Sequence, residues 1–281
     1  MKIMSKDAED EKWTGVDADI KILTLEHMMA ARRLGFDSFF APFNKVSKYQ
    51  MTFLQGSVPE IEFLTKVVLP IAESMKGDGR VALEILKEYS PLLSKQNTEK
   101  PYELYLKCRE KAVDVASMVN ENKTIREIVK IISDSQLINL PNVVDRASNL
   151  VSDDVRESDD EELTAWVNTM DLPIEVIRKY DDYVNHRTRF DTHQGVKGLE
   201  FDRVLVIIDD SEAKGFMFSY DKLFGVKNLS ETDINNMAKG KETSINRTQR
   251  LFYVTCTRAK KSLAVVMYTN NPEKVKEEVI K

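Results

Sequence analysis

The sequence has few cysteines and no long apolar run. Its 281 residues include only two cysteines, Cys108 and Cys256, with no C-x-x-C pair and no histidine cluster near either one. This spacing argues against a disulfide scaffold or a zinc site. No apolar run approaches the roughly 20 residues of a membrane span, and the first residues lack the apolar core of a secretory signal. We therefore expect a cytoplasmic protein with reduced thiols and no membrane partner.

A phosphate-binding P-loop is also absent. The Gly-Lys pair at 240–241 is followed by Glu242 rather than serine or threonine, and position 235 is asparagine rather than glycine. Such a loop needs these residues because its backbone N–H groups, lysine and hydroxyl hold the phosphates and their Mg²⁺. The run V-L-V-I-I-D-D imitates a Walker B strand, but without a P-loop there is no Mg-nucleotide for Asp209 to organise. The chain is therefore not a complete NTPase by itself.

The composition is that of a globular protein with unevenly distributed charge. Apolar residues make up 42% and charged residues 31% of the chain, and the net charge is −5. A protein that coats nucleic acid would be basic overall. Residues 151–163 hold seven acidic side chains and one basic one, whereas residues 239–261 hold seven basic side chains and one acidic one. We interpret the acidic run as carboxylates at a helix N-terminus, opened by a capping box at Ser158 and Glu161.

Strand patterns occur in two separated segments. Residues 19–25 predict a short strand, followed by a helix over 26–34 that Gly35 closes. Residues 201–208 are almost wholly apolar and β-branched, which is typical of a strand buried on both faces of a parallel sheet. An aromatic run follows, with Phe216, Phe218, Tyr220 and Phe224. It either packs on the sheet, which we favour, or offers a surface on which bases stack.

Between these segments, from about residue 59 to 183, apolar residues recur at helical spacing. One face comprises Ile61, Leu64, Val68, Ile71 and Met75, and another comprises Leu104, Cys108, Ala112, Val115 and Val119. Pro70 should kink or break the first helix, and Thr124-x-x-Glu127 is a capping box that opens a further one. The sequence therefore predicts an α/β fold with a parallel sheet and an all-helical insertion. Residues 1–16 are predicted to be a disordered lead.

The stretch from Phe190 to Asp210 combines a polar loop with the buried strand. Two glycines, Gly195 and Gly198, let its backbone approach a phosphate or a base closely. Thr192, His193, Gln194, Lys197 and Glu200 supply hydrogen-bond donors and acceptors. Because ligands of such sheets bind in loops at strand ends, this loop is the first candidate site.

Two motifs carry a family resemblance. T-H-Q-G-V-K-G-L-E-F, at 192–201, resembles the fifth motif of UvrD/Rep/PcrA-type superfamily 1 DNA helicases, usually T-x-H-x-x-K-G-L-E-F. Q-R-L-F-Y-V-T-C-T-R-A-K-K-S-L, at 249–263, resembles their sixth motif, usually R-x-x-Y-V-x-x-T-R-A. The two occur in the family's order, and an apolar run follows each.

The resemblance implies a RecA-like (P-loop NTPase-type) C-terminal domain that lacks the P-loop itself. The RecA-like part would comprise 17–58 and 184–275, and 59–183 would be its helical insertion, called subdomain 2B. ATP and Mg²⁺ would be bound mainly by an N-terminal RecA-like domain outside this sequence. The protein that contains both domains would be an ATP-dependent DNA helicase that steps along single-stranded or partly duplex DNA. This chain alone is predicted to be inactive.

The resemblance also implies roles for nucleotide-binding residues. Arg258 would be the catalytic arginine finger, because a guanidinium is permanently charged and presents a planar fork to a phosphoryl group. Glu200 would bind the ribose hydroxyls. Lys197 and Gly198 would shape the loop near the phosphates, and Arg250 matches the upstream arginine of the sixth motif.

Thr192, His193 and Gln194 would contact the DNA strand, since hydroxyl, imidazole and amide groups bind phosphate and sugar without reading sequence. One departure concerns the fifth motif, because the usual histidine position holds Gln194. Tyr253 is predicted to belong to the core. Cys256 stands where a small or aliphatic residue is usual and is expected to act as a small apolar side chain.

The alternative is a non-motor module that binds DNA or a protein through its helical insertion, and the departure at Gln194 favours it. A second resemblance, through T-H-Q-G-V-K-G-L-E-F-D-R-V, is to helicase-like subunits of Gabija-type phage-defence systems. It implies a nuclease subunit as a partner. A P-loop and a D-E-x-x segment upstream of this sequence would favour the motor.

Overall fold

The chain folds into two compact units. A computed structural model describes residues 1–93, 101–151, 160–213 and 217–280. The sheet unit comprises Met1–Arg33 and His186–Lys281, and the helical unit comprises Leu34–Asn185. The helical unit therefore begins at residue 34, whereas the sequence predicted the insertion to begin at 59.

Along the sequence, one described strand precedes the helical unit and three follow it. The described elements are α1 (Lys2–Asp7), β1 (Lys21–Thr24), α2 (His27–Leu34), α3 (Asp37–Phe43), α4 (Pro59–Glu62), α5 (Leu69–Ser74), α6 (Arg80–Tyr89), α7 (Pro101–Asn120), α8 (Ile125–Ser135), α9 (Asn142–Ser148), α10 (Glu161–Thr169), α11 (Glu175–Val184), β2 (Phe190–Thr192), β3 (Phe201–Ile208), α12 (Asp210–Ala213), α13 (Tyr220–Leu223), α14 (Glu231–Ala238), α15 (Ser244–Cys256), β4 (Ala259–Met267) and α16 (Pro272–Ile280). Among the described helices, none has the length and apolar composition needed to cross a bilayer.

Within the part of the chain that the structure describes, four strands form one parallel sheet in the order β2-β1-β3-β4. Leu23 of β1 pairs with Asp191 of β2 and with Val206 of β3. On the other side of β3, Leu205 pairs with Ala264 of β4. The mixed α/β fold with a parallel sheet, predicted from the sequence, is confirmed and is consistent with a RecA-like domain.

The sheet is buried on both faces by different sets of side chains. The first face packs Leu23, Val204, Val206 and Ile208 under Val196, Tyr220, Phe224 and Leu251. The second face packs Ile22 and Ala264 against Trp13 and Ile20. Because strand side chains alternate between faces, the apolar run of β3 supplies both cores.

The N-terminal residues cover the second face and are not a disordered lead. Trp13 is fully buried, and its indole Nε1 donates to Ser262 Oγ at 2.9 Å. Asp10 accepts from Nε of Arg203, which is itself buried, at 2.6 Å. The prediction for residues 1–16 was wrong because one tryptophan among charged residues gives no periodic signal, although its packing covers the sheet.

An aromatic cluster explains why the helical unit begins before residue 59. Phe39 and Phe53 each pack against Tyr180 of α11, with ring centroids 5.3 and 4.8 Å apart. Phe43 of α3 packs edge-on against Trp166 of α10 at 5.0 Å. Aromatic rings bury large apolar areas, so residues 37–53 join the core formed by α10 and α11.

The helical unit confirms several predicted helix features and modifies one. Thr124 and Glu127 form the reciprocal capping box that opens α8. Pro70 does not break its helix. Instead, a stretch of π-helix over Phe63–Val68 joins α4 to α5 directly ahead of it, because a wider hydrogen-bond register accommodates the missing proline N–H.

Two predicted features fall partly outside the described residues. Ser158 lies outside them, and α10 begins at Glu161 with Asp160 as its N-cap, whose Oδ1 accepts from two backbone N–H groups. Phe216 of the aromatic run also lies outside them. Tyr220 and Phe224 are buried in the core of the first face, as the packing interpretation predicted.

Candidate functional site

The two motifs meet at the amino ends of β3 and β4. The backbone N–H of Phe201, the first residue of β3, donates to the carbonyl of Arg258 at 2.8 Å. The Arg258 guanidinium in turn donates through Nη1 to the carbonyl of Leu199 at 3.0 Å. Parallel neighbouring strands bring their amino ends to one edge of a sheet, so residues 59 positions apart in the chain touch.

Arg258 is held in place by its own surroundings. Its Nε donates to the carbonyl of Val254 at 2.8 Å, and its Nη2 donates to Thr257 Oγ1 at 3.0 Å. With the Leu199 contact, three of the five guanidinium N–H groups are used. Each terminal nitrogen keeps one N–H, and the half-buried side chain therefore offers a fixed two-pronged fork to an anion.

The residues next to this fork are open to solvent. Lys197, Gly198, Leu199 and Glu200 are all exposed. Gly198 has a φ of +84°, and a Cβ there would meet nothing within 4 Å, so glycine is present for its backbone conformation rather than for lack of space. Glu200 follows Leu199 directly and so lies at the same edge as Arg258.

The loop at 193–200 connects opposite edges of the sheet. Thr192 at the end of β2 pairs with Thr24, and the next residue back, Leu23, pairs with Val206. Thr192 is therefore level with Ile207 of β3. Phe201 lies six positions before Ile207, which is roughly 20 Å along a strand. The loop therefore starts at the carboxyl edge, crosses the first face with Val196 buried beneath it, and ends at the amino edge.

The structure changes the prediction for DNA contacts. His193 is fully buried, and its Nδ1 lies 3.0 Å from the Tyr220 hydroxyl. Burial lowers the pKa of His193 to about 4, so the ring is neutral. Thr192 is also buried, and its Oγ1 accepts from the N–H of Gly195 at 3.0 Å. Both side chains shape the loop and cannot touch a strand of DNA here, which leaves Gln194 exposed as the candidate contact.

At the carboxyl edge, the aspartates of the Walker B imitation cap helices. Asp209 accepts from the backbone N–H groups of Ser211 and Glu212, both at 3.0 Å. Asp210 accepts from the N–H groups of Tyr220 and Asp221 at 3.1 and 2.9 Å. These hydrogen bonds give both carboxylates partners without a metal or a nucleotide.

One exposed aromatic side chain was missed from the sequence. Tyr253, predicted as core, is 71% exposed on α15. It lies one turn after Arg250, which is exposed and forms an ion pair with Glu242, and one turn before Thr257. The buried positions of α15 are Ser244, Thr248, Leu251 and Thr255. Their helical spacing places Tyr253 on the opposite, exposed side of α15. The same spacing, taken from the sequence, was the signal that could have identified Tyr253 as exposed.

Neither cysteine is suited to nucleophilic chemistry. Both are free. Cys256 lies two positions before Arg258, and burial raises the pKa of its thiol to about 11. The thiol is therefore protonated at neutral pH and serves as a small packing group, as the sequence predicted.

A buried carboxylate fixes the start of α15, the helix that leads to Arg258. Asp233 of α14 accepts from the backbone N–H of Ser244 at 2.8 Å and from Lys222 Nζ at 2.6 Å. Burial alone would raise the pKa of Asp233, but hydrogen bonds from Lys222, Ser230 and Ser244 outweigh it and hold the pKa well below 3.8. The carboxylate is therefore ionised and anchors one helix to the other.

Replacing Asp233 with asparagine should lower the free energy of unfolding by about 1.5–3 kcal/mol at neutral pH, since hydrogen bonds to a charged group are lost. A depressed pKa contributes stability that is present above the ordinary pKa and is lost as pH falls through the folded value. The difference between wild type and Asp233→Asn should thus shrink below about pH 4. Urea unfolding at several pH values measures it, with Asp17→Asn, which removes an exposed carboxylate of the same unit, as the control. A constant difference down to pH 2 would contradict the assignment.

Comparison with known proteins identifies the family of this chain. No curated protein sequence matches it significantly. The family model of the UvrD-like helicase C-terminal domain matches residues 37–270, which include nearly all of the helical unit and both motifs. With these two motifs in contact at one edge of a parallel sheet, the chain belongs to the UvrD-like helicase C-terminal domain family.

Proposed function

We propose that this chain is the C-terminal half of an ATP-dependent DNA helicase or translocase and forms one wall of its nucleotide cleft. The contact between Arg258 and the Leu199 carbonyl is the observation that supports this most, because it brings the arginine fork next to the residue that precedes Glu200. The opposite wall would be an N-terminal RecA-like domain with a P-loop. ATP and Mg²⁺ would be held mainly there, so this chain alone would not hydrolyse ATP.

The two free N–H groups of Arg258 suit the transferred phosphoryl group. ATP bound in the cleft would supply phosphoryl-transfer chemistry, whose transition state spreads negative charge over the equatorial oxygens. Arg258 would stabilise that charge, because its Nε and both terminal nitrogens are already oriented by Val254, Leu199 and Thr257. A fork that needs no reorganisation stabilises developing charge most effectively.

The remaining site residues would have supporting roles. Glu200 would accept hydrogen bonds from the ribose hydroxyls, and Gly198 would let the loop turn beside the nucleotide. Lys197 and Arg250 are exposed cations that would add positive potential near the phosphates. Among the described residues, no group of three or more acidic, histidine or cysteine side chains could hold a metal ion, so in this proposal Mg²⁺ enters with the nucleotide.

DNA would be bound at the start of the loop rather than at its end. Gln194 is exposed near the carboxyl end of β2, and its amide can donate to a phosphate without reading sequence. Single-stranded or partly duplex DNA is the ligand we propose there. The helical unit would correspond to the 2B-like insertion of such motors.

The assignment of Glu200 can be tested by comparing ATP with 2′-deoxy-ATP in the protein that joins this chain to its P-loop domain. Glu200→Ala should raise KM for ATP about tenfold, the effect of losing a hydrogen bond worth roughly 1.4 kcal/mol, with kcat changed less. The same substitution should change KM for 2′-deoxy-ATP much less, because that nucleotide lacks one of the hydroxyls.

Lys261→Ala is the control for general charge effects at this edge, since Lys261 is exposed beside Asp202. Equal losses with both nucleotides would show that Glu200 does not bind the 2′-hydroxyl of the ribose.

One observation favours a second candidate function. Since His193 and Thr192 are buried, only Gln194 of the three predicted DNA contacts reaches solvent. A helicase-like module without a motor role would fit such a reduced surface and would bind DNA or a protein such as a nuclease subunit. DNA-stimulated ATP hydrolysis that depends on Arg258 distinguishes the motor from the module.

A further inference from the structure

A lysine and an aspartate lie almost buried beneath the loop at 193–200. Lys21 at the start of β1 and Asp191 in the middle of β2 are 3.3 Å apart, with side chains only 11% and 6% exposed. Lys21 pairs in register with Val204, and Asp191 pairs with Leu23. Since alternate residues share a face, both side chains point to the first face, which the loop crosses.

The pair contacts both ends of the loop. At the start, Asp191 Oδ1 accepts from the N–H of Thr192 at 2.8 Å, and a Cβ on Gly195 would lie 2.4 Å from the same oxygen. At the end, the Lys21 ammonium lies 5.6 Å from the ring centroid of Phe201, the residue after Glu200. The loop therefore folds tightly over Asp191 and returns to the sheet over Lys21.

Two histidines also face this carboxylate. His186 Nδ1 lies 3.2 Å from Asp191 Oδ2, but the histidine side chain is 68% exposed. Burial lowers the pKa of His27, at the start of α2, and the nearby Asp191 charge opposes that shift. Lys21 is thus the buried ion-pair partner of Asp191, and breaking a buried pair leaves an uncompensated charge under the loop.

We propose that Lys21 and Asp191 are positioning residues that hold the loop at 193–200 in the conformation that presents Glu200. Gly195 has the same positioning role, because any side chain there would displace the Asp191 carboxylate. The proposal depends on the proposed function only where it assigns Glu200 to a nucleotide. The effect of Lys21 and Asp191 on the loop concerns this chain by itself.

Hydrogen–deuterium exchange of the 281-residue chain without nucleotide tests the proposal. Asp191→Asn, which keeps the size of the side chain, and Lys21→Met should each speed exchange of the amides at 193–200 about tenfold, because each leaves the other charge of the buried pair uncompensated beneath the loop. Exchange in β3 should change less than about twofold. Lys21→Arg keeps the charge and should restore slow exchange in the loop.

The control is Lys227→Met, which removes an ion pair with Asp221 elsewhere in the sheet unit and should leave the loop unchanged. Unchanged loop exchange in Asp191→Asn and Lys21→Met, or equal acceleration in the loop and β3, would overturn the proposal. If loop exchange rises selectively while KM for ATP in the joined protein does not, the positioning role stands and the nucleotide role of Glu200 fails.

Discussion

Arg258→Ala should lower DNA-stimulated ATP hydrolysis about 10³- to 10⁵-fold in the protein that joins this chain to its P-loop domain, the range an arginine finger contributes. The loss should fall on kcat, because the guanidinium acts on charge that develops during phosphoryl transfer. Binding of ATP and DNA should change little, since the proposal places most of their contacts on other residues. Steady-state hydrolysis with single-stranded DNA, together with nucleotide titration, measures both quantities.

Two further variants make this result specific. Arg258→Lys keeps the charge but not the planar fork that contacts Leu199 and Thr257, and it should restore little activity. Arg32→Ala removes an arginine of α2 that pairs with Glu212, away from the motifs, and should retain full activity. Turnover within about tenfold of wild type for Arg258→Ala would exclude an arginine-finger role.

Trp13→Ala should lower the free energy of unfolding by about 3–5 kcal/mol, the usual cost of truncating a buried aromatic residue. The indole fills the core between Ile20, Ile22 and Ala264 on the second face, and its N–H bond to Ser262 is lost as well. A loss of this size is a large part of a typical domain's stability. Urea unfolding followed by circular dichroism would measure it.

Val16→Ala provides the matched control, because Val16 belongs to the same segment and is 96% exposed. It should change stability by less than about 0.5 kcal/mol. If Trp13→Ala were equally mild, the N-terminal segment would not be part of the sheet unit's core.

The sequence predicted those parts of the fold whose signals are local or periodic. The apolar, β-branched run of β3 fixed a buried parallel strand, and Thr124 with Glu127 marked the start of α8. The glycine in the fifth motif and the arginine in the sixth identified loops that the fold brings together at one edge. Each of these signals depends on neighbouring residues or on a fixed helical or strand period.

Features that depend on distant partners were not predictable in this way. Trp13 packs against the sheet and bonds to Ser262, 249 positions later, and nothing near it in sequence indicates that partner. His193 looked like a ligand contact because it is polar, but the crossing of the loop over the first face buries it against Tyr220. The buried pair of Lys21 and Asp191 likewise joins residues from opposite sides of the helical unit in the sequence.

A structure of the joined protein with a non-hydrolysable ATP analogue and single-stranded DNA would show whether Arg258 and Glu200 line the nucleotide cleft. We expect terminal nitrogens of Arg258 about 3 Å from γ-phosphate oxygens, with the Glu200 carboxylate on the ribose at the same amino edge of the sheet. Phosphates bound instead at the carboxyl edge beside Asp209, with Arg258 turned only to Val254 and Leu199, would contradict it.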